Sequence, residues 1–254
     1  MPKLSVITIN FNDAAGLEKT IKSVVSQSFT DLEYIVIDGG STDGSVDVIK
    51  KYADKINYWV SEKDKGIYNA QNKGIEKASG EYCLFLNSGD YLVDKEVLAG
   101  VFKYDYSEDI IYGNMMIDWG NGNIRLGTMP DTISFFQMYT DTLWHPVSFI
   151  KKELFEKYGC YDESYRMVAD YEFFFRTIII KNVSTHHIPL PISVYNTKGF
   201  STVPENKAIE AEERRRVLNA YLPEAVVEFA EEQVNRIARK KKSRFRRLIN
   251  KLKK

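Results

Sequence analysis

Residues 34–44, Tyr34-Ile35-Val36-Ile37-Asp38-Gly39-Gly40-Ser41-Thr42-Asp43-Gly44, decide how this chain is read. The β-branched apolar run suits a strand buried on both faces of a parallel sheet. It stops at a carboxylate, turns through two glycines, and offers Ser41, Thr42 or Asp43 as N-cap of a following helix. In open α/β sheets, ligands sit beyond the carboxyl ends of the strands. Asp38 is therefore predicted to lie where a small molecule is held. Its carboxylate accepts hydrogen bonds but does not attract phosphate, which points to the base or sugar of a nucleotide.

The same theme recurs four times in the first ninety residues. Leu4–Ile9 reads as a strand ending at Asn10-Phe11-Asn12-Asp13, followed by a helix with Leu17, Ile21, Val24 and Val25 on one face. The helix after Asp38 turns Val46, Ile49 and Ala53 inward. Ile56–Val60 is the third strand and ends near Asp64, and a helix over Ile67–Ala78 follows with Gly80 as its C-cap. Tyr82–Leu86 is the fourth strand, ending at Asn87-Ser88-Gly89-Asp90. Alternating β and α with short connections implies a parallel sheet with right-handed crossovers. Asn10 and Asn12, Asp38, Asp64, and Asn87 with Asp90 then fall together on one edge of that sheet.

Beyond Asp90 the alternation weakens. Ile110–Ile117 and Ile124–Gly127 flank Gly120-Asn121-Gly122-Asn123 and read as a hairpin. Val147–Ile150 is a buried strand before a helix over Lys151–Tyr158, and Ala169–Lys181 is a helix with a very apolar face. Thr185–Tyr195 is strand-like, and Pro189 and Pro191 assign it to a sheet edge. A loop covers Asn196–Pro204, and the chain from Glu205 is helical and charged with a break at Pro223. The expected division is a catalytic domain over 1–204 and a helical extension over 205–254.

The chain of 254 residues has a formal charge of zero, which hides an asymmetry. Residues 233–254 hold eleven Lys or Arg and no acid, leaving the other 232 residues at a formal −11. An acidic body argues against general nucleic-acid binding. In the tail, Val234, Ile237, Ala238, Phe245, Leu248, Ile249 and Leu252 alternate with the cations as a basic amphipathic helix. That pattern suits an anionic membrane surface, with RNA binding or a plain solvated helix as the alternatives. Cys83 and Cys160 sit far apart in apolar contexts and read as reduced core thiols of a cytosolic protein. The N-terminus is not expected to act as a secretory signal, and no apolar run approaches the roughly 18 residues of a spanning helix.

The Gly-rich turn is neither G-x-G-x-x-G nor a P-loop, which argues against a nicotinamide or ATP cradle. The ordered set SVITINFND, YIVIDGGSTDGS, DKGIYNAQNKGI, GEYCLFLNSGD and MVADYEFFFR resembles the family 2 glycosyltransferases over roughly residues 4–203. The likeness is to the branch that includes colanic-acid, capsule and O-antigen enzymes. It implies the GT-A nucleotide-diphospho-sugar transferase fold, an α/β architecture with a mostly parallel Rossmann-like sheet flanked by helices.

The resemblance also implies roles for particular residues. Ile9, Asn10 and Asn12 lie in the motif that meets nucleobase and ribose, and Asp38 stands where a carboxylate contacts uracil or ribose. Gln71 and Asn72 replace a frequent Arg-Asn pair bordering the nucleotide. Asn87-Ser88-Gly89-Asp90 takes the place of a metal-binding D-x-D motif. Asn87 and Ser88 then face the donor, and Asp90 is the one remaining carboxylate for Mn²⁺ or Mg²⁺. Asp170 aligns with the catalytic base of inverting transfer, which takes the acceptor hydroxyl's proton. It also suits the N-terminus of its helix, where a carboxylate is stabilised. Glu172 is a second candidate, and Arg176 is expected to pair inside the fold.

His145 in Trp144-His145-Pro146 is a candidate contact to acceptor, diphosphate or metal, or else a satisfied structural histidine; His186 and His187 read as structural. Tyr195, Gly199 and Ser201 resemble a loop that folds over donor phosphates, or are an ordinary surface loop. The function implied is transfer from a nucleotide-diphospho-sugar, UDP-linked, to a glycan or lipid-linked acceptor in cell-surface polysaccharide synthesis. The expected location is cytoplasmic, peripheral to the membrane through 233–254, with the oligomeric state open. The alternatives are a nucleotide-sugar-binding relative without turnover and a nucleic-acid-associated protein acting through its tail.

Overall fold

The structure, a computed structural model, describes residues 1–120, 122–197 and 206–252, excluding the side chains of Ala238 and of 241–252. Gly199 and Ser201 thus lie outside the described residues, as do the apolar side chains of the tail from Phe245 onward. The first half runs β1 (Leu4–Asn10), α1 (Ala14–Val25), β2 (Leu32–Asp38), α2 (Ser45–Lys51), β3 (Tyr58–Ser61), α3 (Ile67–Lys77) and β4 (Tyr82–Phe85). Strands β3, β2, β1 and β4 lie side by side in that order, all parallel. Asn10 is level with Asp38, and Asp38 with Ser61. Because β4 joins the side of β1 opposite β2, the order of addition reverses between β1 and β4. Their carboxyl ends therefore border the crevice where such sheets bind ligands.

All seven residues of β1 are buried, as expected of a strand covered on both faces. Leu4 and Val6 pack with Leu17, Ile21 and Val24 of α1 on one side of the sheet. Ile7 and Ile9 pack with Tyr68 and Ile75 of α3 on the other. Each such side chain contributes about 1.5–3 kcal/mol by leaving water. Gly74 lets α3 lie against the sheet, since a Cβ there would come 2.4 Å from Ile7 Cγ2. Gly80 likewise serves close approach to Ser5 and does not cap the helix; the cap residue is Ala78.

Helix α2 departs from expectation. Gly44 at φ 97° precedes it, and Ser41, Thr42 and Asp43 lie upstream of the cap, although the Asp43 carboxylate still accepts from the Ser45 N–H at 3.1 Å. Its buried face is Ser45 and Ile49 with Val48 alongside, and Ala53 belongs to a separate 3₁₀ turn over Ala53–Lys55.

The second half adds β5 (Tyr91–Leu92), α4 (Val97–Val101), β6 (Ile110–Asp118), β7 (Ile124–Gly127), α5 (Phe135–Thr140), β8 (Ser148–Lys151), α6 (Lys152–Tyr158), α7 (Ala169–Phe174), β9 (Thr185–Asn196), α8 (Lys207–Tyr221) and α9 (Glu224–Leu252). The sheet continues from β4 through β8, β6 and β9 to β5, and β7 closes the predicted hairpin on β6. Strand β9 is interior only where β5 pairs Ser193 and Val194. Among the described residues, the stretch carrying Pro189 and Pro191 has β6 alone as neighbour, with a register shift beside Pro191. The prolines sit where no ladder donor is needed.

The helix expected over Ala169–Lys181 is α-helical only to Phe174 and continues as a π-helical stretch over Phe175–Ile180, where the Lys181 N–H reaches Arg176 O. Cys83 is buried as expected, but Cys160 is exposed. Helix α8 is integral to the body. Val217 and Leu218 join the core, and Glu213 accepts from the Arg166 and Met167 N–H groups at 2.7 and 2.8 Å. Among the described residues, no helix is long and apolar enough to cross a membrane.

Candidate active site

Asp38 organises the mouth of the crevice by being consumed in it. Its carboxylate has no exposed surface and takes five donors. Oδ1 accepts from Asn10 Nδ2 at 2.7 Å and Ser41 Oγ at 2.6 Å. Oδ2 accepts from Ser61 Oγ at 2.6 Å and from the Ser41 and Gly40 N–H groups at 2.9 and 3.2 Å. Burial raises its pKa, but the Ser41, Ser61, backbone and Asn10 donors outweigh that and hold it below the ordinary value. A carboxylate has about four lone-pair positions, and all are taken by protein. The expected direct contact with uracil or ribose is therefore corrected: Asp38 ties the ends of β1, β2 and β3 together, and the ligand-facing surface is built around it.

Asn12 continues the stitching. Its N–H donates to Ser41 Oγ at 2.8 Å and its Oδ1 accepts the Thr42 N–H at 2.9 Å. The φ of 51° that this requires is tolerated by asparagine. Ile9 also differs from expectation, because its side chain lies in the core and only its carbonyl, accepting the Ser88 N–H at 3.1 Å, belongs to the crevice. Between these two stands Phe11, a ring 66% exposed against Gly39. Asp64 Oδ2 approaches from β3's end, close enough that a Cβ on Gly39 would meet it at 2.6 Å. Sequence reasoning assigned Phe11 nothing, although a large apolar residue between two asparagines at a strand end was a usable signal.

Helix α3 sends Gln71 and Asn72 in different directions. Asn72 spends its amide on the segment after α6, donating to Tyr161 O at 2.9 Å and Glu163 Oε1 at 3.0 Å while accepting the Tyr161 N–H at 3.1 Å. It is a clamp between elements and does not border the crevice as expected. Gln71 is buried beside the end of β4, where its Nε2 donates to Asn87 Oδ1 at 3.4 Å. Asn87 Nδ2 lies 3.2 Å from His145 Nε2, and His145 Nδ1 lies 3.3 Å from Asp170 Oδ2.

Asp170, at the start of α7, is thus held from three elements. Its Oδ1 accepts from Tyr68 Oη and from the Tyr171 N–H, each at 2.9 Å. Burial raises its pKa, but His145, Tyr68 and the Tyr171 N–H prevail and hold it below the ordinary value. The carboxylate is ionised at neutral pH, partly open to solvent, and fixed in orientation. A group in that state can take a proton from a hydroxyl brought to its free lone pair. Tyr68 escaped sequence reasoning because its helical spacing reads only as an apolar face. Burial keeps its phenol protonated, and Asp170's charge adds to that effect.

Asp90 closes the crevice on the β4 side. It does not cap α4, where the cap residue is Glu96. Its carboxylate is buried and accepts the Asn196 N–H at 2.9 Å. Burial pushes its pKa up to about 7, and the Asn196 N–H and His145 offset this only in part. Thr20 holds the turn from behind, its Oγ1 donating to Asp90 O at 2.6 Å and accepting the Gly89 N–H at 3.1 Å. Ser88 Oγ, next to it, is buried without a hydrogen-bond partner among the described residues. Among the described residues no group of three acidic, His or Cys side chains forms a metal cage. One undercompensated carboxylate does fit a cation that takes its remaining ligands from a diphosphate and water, as Mg²⁺ does.

The remaining candidates lie elsewhere. Glu172 is bound by Arg176 Nε at 2.8 Å and by the Tyr221 hydroxyl, so it is a structural ion pair and Arg176 pairs inside the fold as expected. His187 joins Asp131 at 2.8 Å to Asn114 at 3.1 Å, a structural role. Tyr195 packs against the cluster on the α1 side of the sheet, next to Asn196, which delivers β9's end to Asp90.

The glycosyl transferase family 2 profile matches residues 5–170 of this chain. An uncharacterised glycosyltransferase of Mycobacterium tuberculosis is 34% identical over 222 residues, covering 84% of this chain and 82% of its own. A GalNAc(5)-diNAcBac-PP-undecaprenol β-1,3-glucosyltransferase of Campylobacter jejuni is 38% identical over 122 residues, 46% of this chain and 40% of its own. Among solved structures, residues 1–349 of S. aureus TarS in complex with UDP-GlcNAc superpose with a TM-score of 0.67 at 21% identity, covering 90% of this chain and 70% of that one. The chain spans 42% of the longer TarS structure, which superposes with a TM-score of 0.64 at 21% identity. At that identity the likeness concerns the fold, which is GT-A.

Proposed function

The chain belongs to glycosyl transferase family 2, and from that premise we propose that it is an inverting transferase of the hexosyl type. In this reading it moves a sugar from a UDP-linked donor to a hydroxyl of a glycan or lipid-linked acceptor in cell-surface polysaccharide synthesis. The observation that carries the reading is Asp170, an ionised carboxylate oriented by Tyr68 and His145 beside the β1–β4 crevice. Single-step inversion requires one base that accepts the attacking hydroxyl's proton, and Asp170 has the charge and the fixed position for it.

The nucleoside end of the donor is assigned to the loops that Asp38 holds together. Phe11 gives a base an apolar ring to stack on, and Asp64 offers a carboxylate to its N–H groups. Asn10 lies at the same edge, with a buried Oδ1 that lacks a partner among the described residues. On the other side of the crevice Asn87 and Ser88 line the path toward Asp90. A mannosyltransferase of Pyrobaculum calidifontis that superposes with a TM-score of 0.58 was solved in complex with GDP-Man and Mn²⁺. Asp90 would hold Mn²⁺ or Mg²⁺ together with donor oxygens, and the ion's chemistry is to neutralise charge on the departing diphosphate. The eleven cations of residues 233–254 support contact with an anionic membrane surface.

The test is a transfer assay over UDP-, GDP- and dTDP-sugars with polyprenyl-diphosphate and glycan acceptors, the product's anomeric configuration being read by NMR. Inverted product from a UDP-sugar supports the reading; retained configuration, or no turnover with any donor, overturns it.

A further inference from the structure

Four side chains on three elements and the loop before β8 form one directed hydrogen-bond chain. It starts at Gln71, which is 2% exposed on α3, passes through Asn87 at the end of β4, and reaches Asp170 by way of His145. The direction of each bond follows from what each atom is able to do. Gln71 Nε2 donates to Asn87 Oδ1, so the Asn87 amide turns its Nδ2 toward His145. An amide nitrogen only donates, so His145 Nε2 must be bare and accept. The imidazole's proton then sits on Nδ1, 3.3 Å from Asp170 Oδ2. Two other donors to Asp170, Tyr68 Oη and the Tyr171 N–H, both serve Oδ1.

The alternative arrangement has different consequences. Were both amides turned over, Asn87 Oδ1 would face Nε2, which would then have to carry a proton. Either Nδ1 would present a lone pair to the Asp170 carboxylate, or the ring would become an imidazolium beside it. The first loses the bond that orients Asp170. The second places a full positive charge against a base and lowers its proton affinity. A neutral Nδ1–H donor orients the carboxylate without that loss.

We infer that Gln71 and Asn87 are positioning residues that set the His145 proton on Nδ1 and so keep Asp170 both oriented and basic. The inference rests on Asp170 as the base of the proposed transfer. Gln71 is the residue that heads the chain, since the atom it turns to Asn87 Oδ1 is its Nε2, which can only donate. It acts through two other side chains and need not touch substrate.

Gln71→Glu puts an acceptor at the head of the chain. It should draw Asn87 Nδ2 toward itself and turn Oδ1 to His145 Nε2, which then binds a proton. Gln71→Met keeps the length, removes the bond, and leaves the amide free to turn. At saturating donor, kcat should fall about threefold in Gln71→Met and at least about thirtyfold in Gln71→Glu, a general base usually contributing about 10²–10⁴-fold. Imidazole ¹⁵N shifts of the donor-free protein, assigned to His145 by its loss in His145→Gln, should show Nδ1–H alone in the wild type. They should show a protonated Nε2 in Gln71→Glu. Thermal melts of both variants establish that they are folded. A wild-type His145 protonated on Nε2, or a Gln71→Glu protein no slower than Gln71→Met, overturns the relay. Absence of turnover in the wild type on any donor would instead overturn the transferase reading, while the ¹⁵N spectrum still decides the tautomer.

Discussion

Tyr68 and Asp170, 102 positions apart in the chain, share a hydrogen bond of 2.9 Å in which the phenol donates to Oδ1. The bond joins α3, which packs on β1 and β2, to α7, which begins just after the segment held by Glu213 of α8. The base of the proposed reaction is thus oriented by a helix from the nucleotide half of the fold. The proposed donor site and the proposed base are joined through protein atoms alone.

Asp170→Asn keeps the shape of the carboxylate and removes its ability to take a proton. Transfer should fall by about 10²–10⁴-fold, the usual contribution of a general base. Donor KM should stay within about threefold, because the residue meets the acceptor side. Initial rates over a donor series check this, and wild-type turnover in the variant would remove Asp170 from the role.

Tyr68→Phe deletes one donor to a carboxylate whose ionised form it favours. A hydrogen bond to a charged group contributes about 1.5–3 kcal/mol, so the pKa of Asp170 should rise by about one unit or more. The base then loses its charge at a higher pH, and the acid limb of the kcat–pH profile should move upward. An unmoved limb would mean that another group governs it.

Asp38→Ala should act first on stability. Five donors, two of them backbone N–H groups, lose their acceptor at once in a buried site. Each unsatisfied group costs about 1–3 kcal/mol, less what water recovers, so the protein should lose at least about 3 kcal/mol in chemical denaturation. A variant of wild-type stability with a raised donor KM would instead restore the direct ligand contact.

Asp90 predicts a stability that falls as pH rises. Its folded pKa, pushed up to about 7 by burial, lies above the unfolded value near 3.8. The folded state therefore binds the proton more tightly, and stability is lost between about pH 4 and pH 7 and is level above. Asp90→Asn should remove this slope, gaining a few kcal/mol over wild type at pH 8 in EDTA and little at pH 4. Melting curves from pH 4 to 9 test the sign. Mn²⁺ should stabilise the wild type at pH 8 more than the variant, and equal responses would place the cation elsewhere.

Removing residues 233–254 should abolish co-sedimentation with vesicles rich in anionic phospholipid, since eleven cations leave with the segment. Binding to neutral vesicles should be weak in both forms. Loss of RNA binding in its place would favour the nucleic-acid reading of the tail.

The amino-acid sequence by itself determined the repeated βα theme, the parallel direction of the first strands and the edge where their polar ends collect. Runs such as Leu4–Asn10 and Leu32–Asp38 are buried on both faces, so their apolar pattern and their terminal polar residues were legible one residue at a time. What those polar residues do was decided only by the tertiary structure. Asp38 and Asn72 look like ligand contacts at the ends of their motifs, yet both are spent on protein donors and acceptors brought in by other elements. Tyr68 looks like core and instead orients Asp170. Periodicity reports which face of an element is buried, a property of neighbours in sequence. The use of a hydrogen-bonding group depends on atoms within about 3 Å, and in this crevice those atoms come from residues as much as 106 positions away.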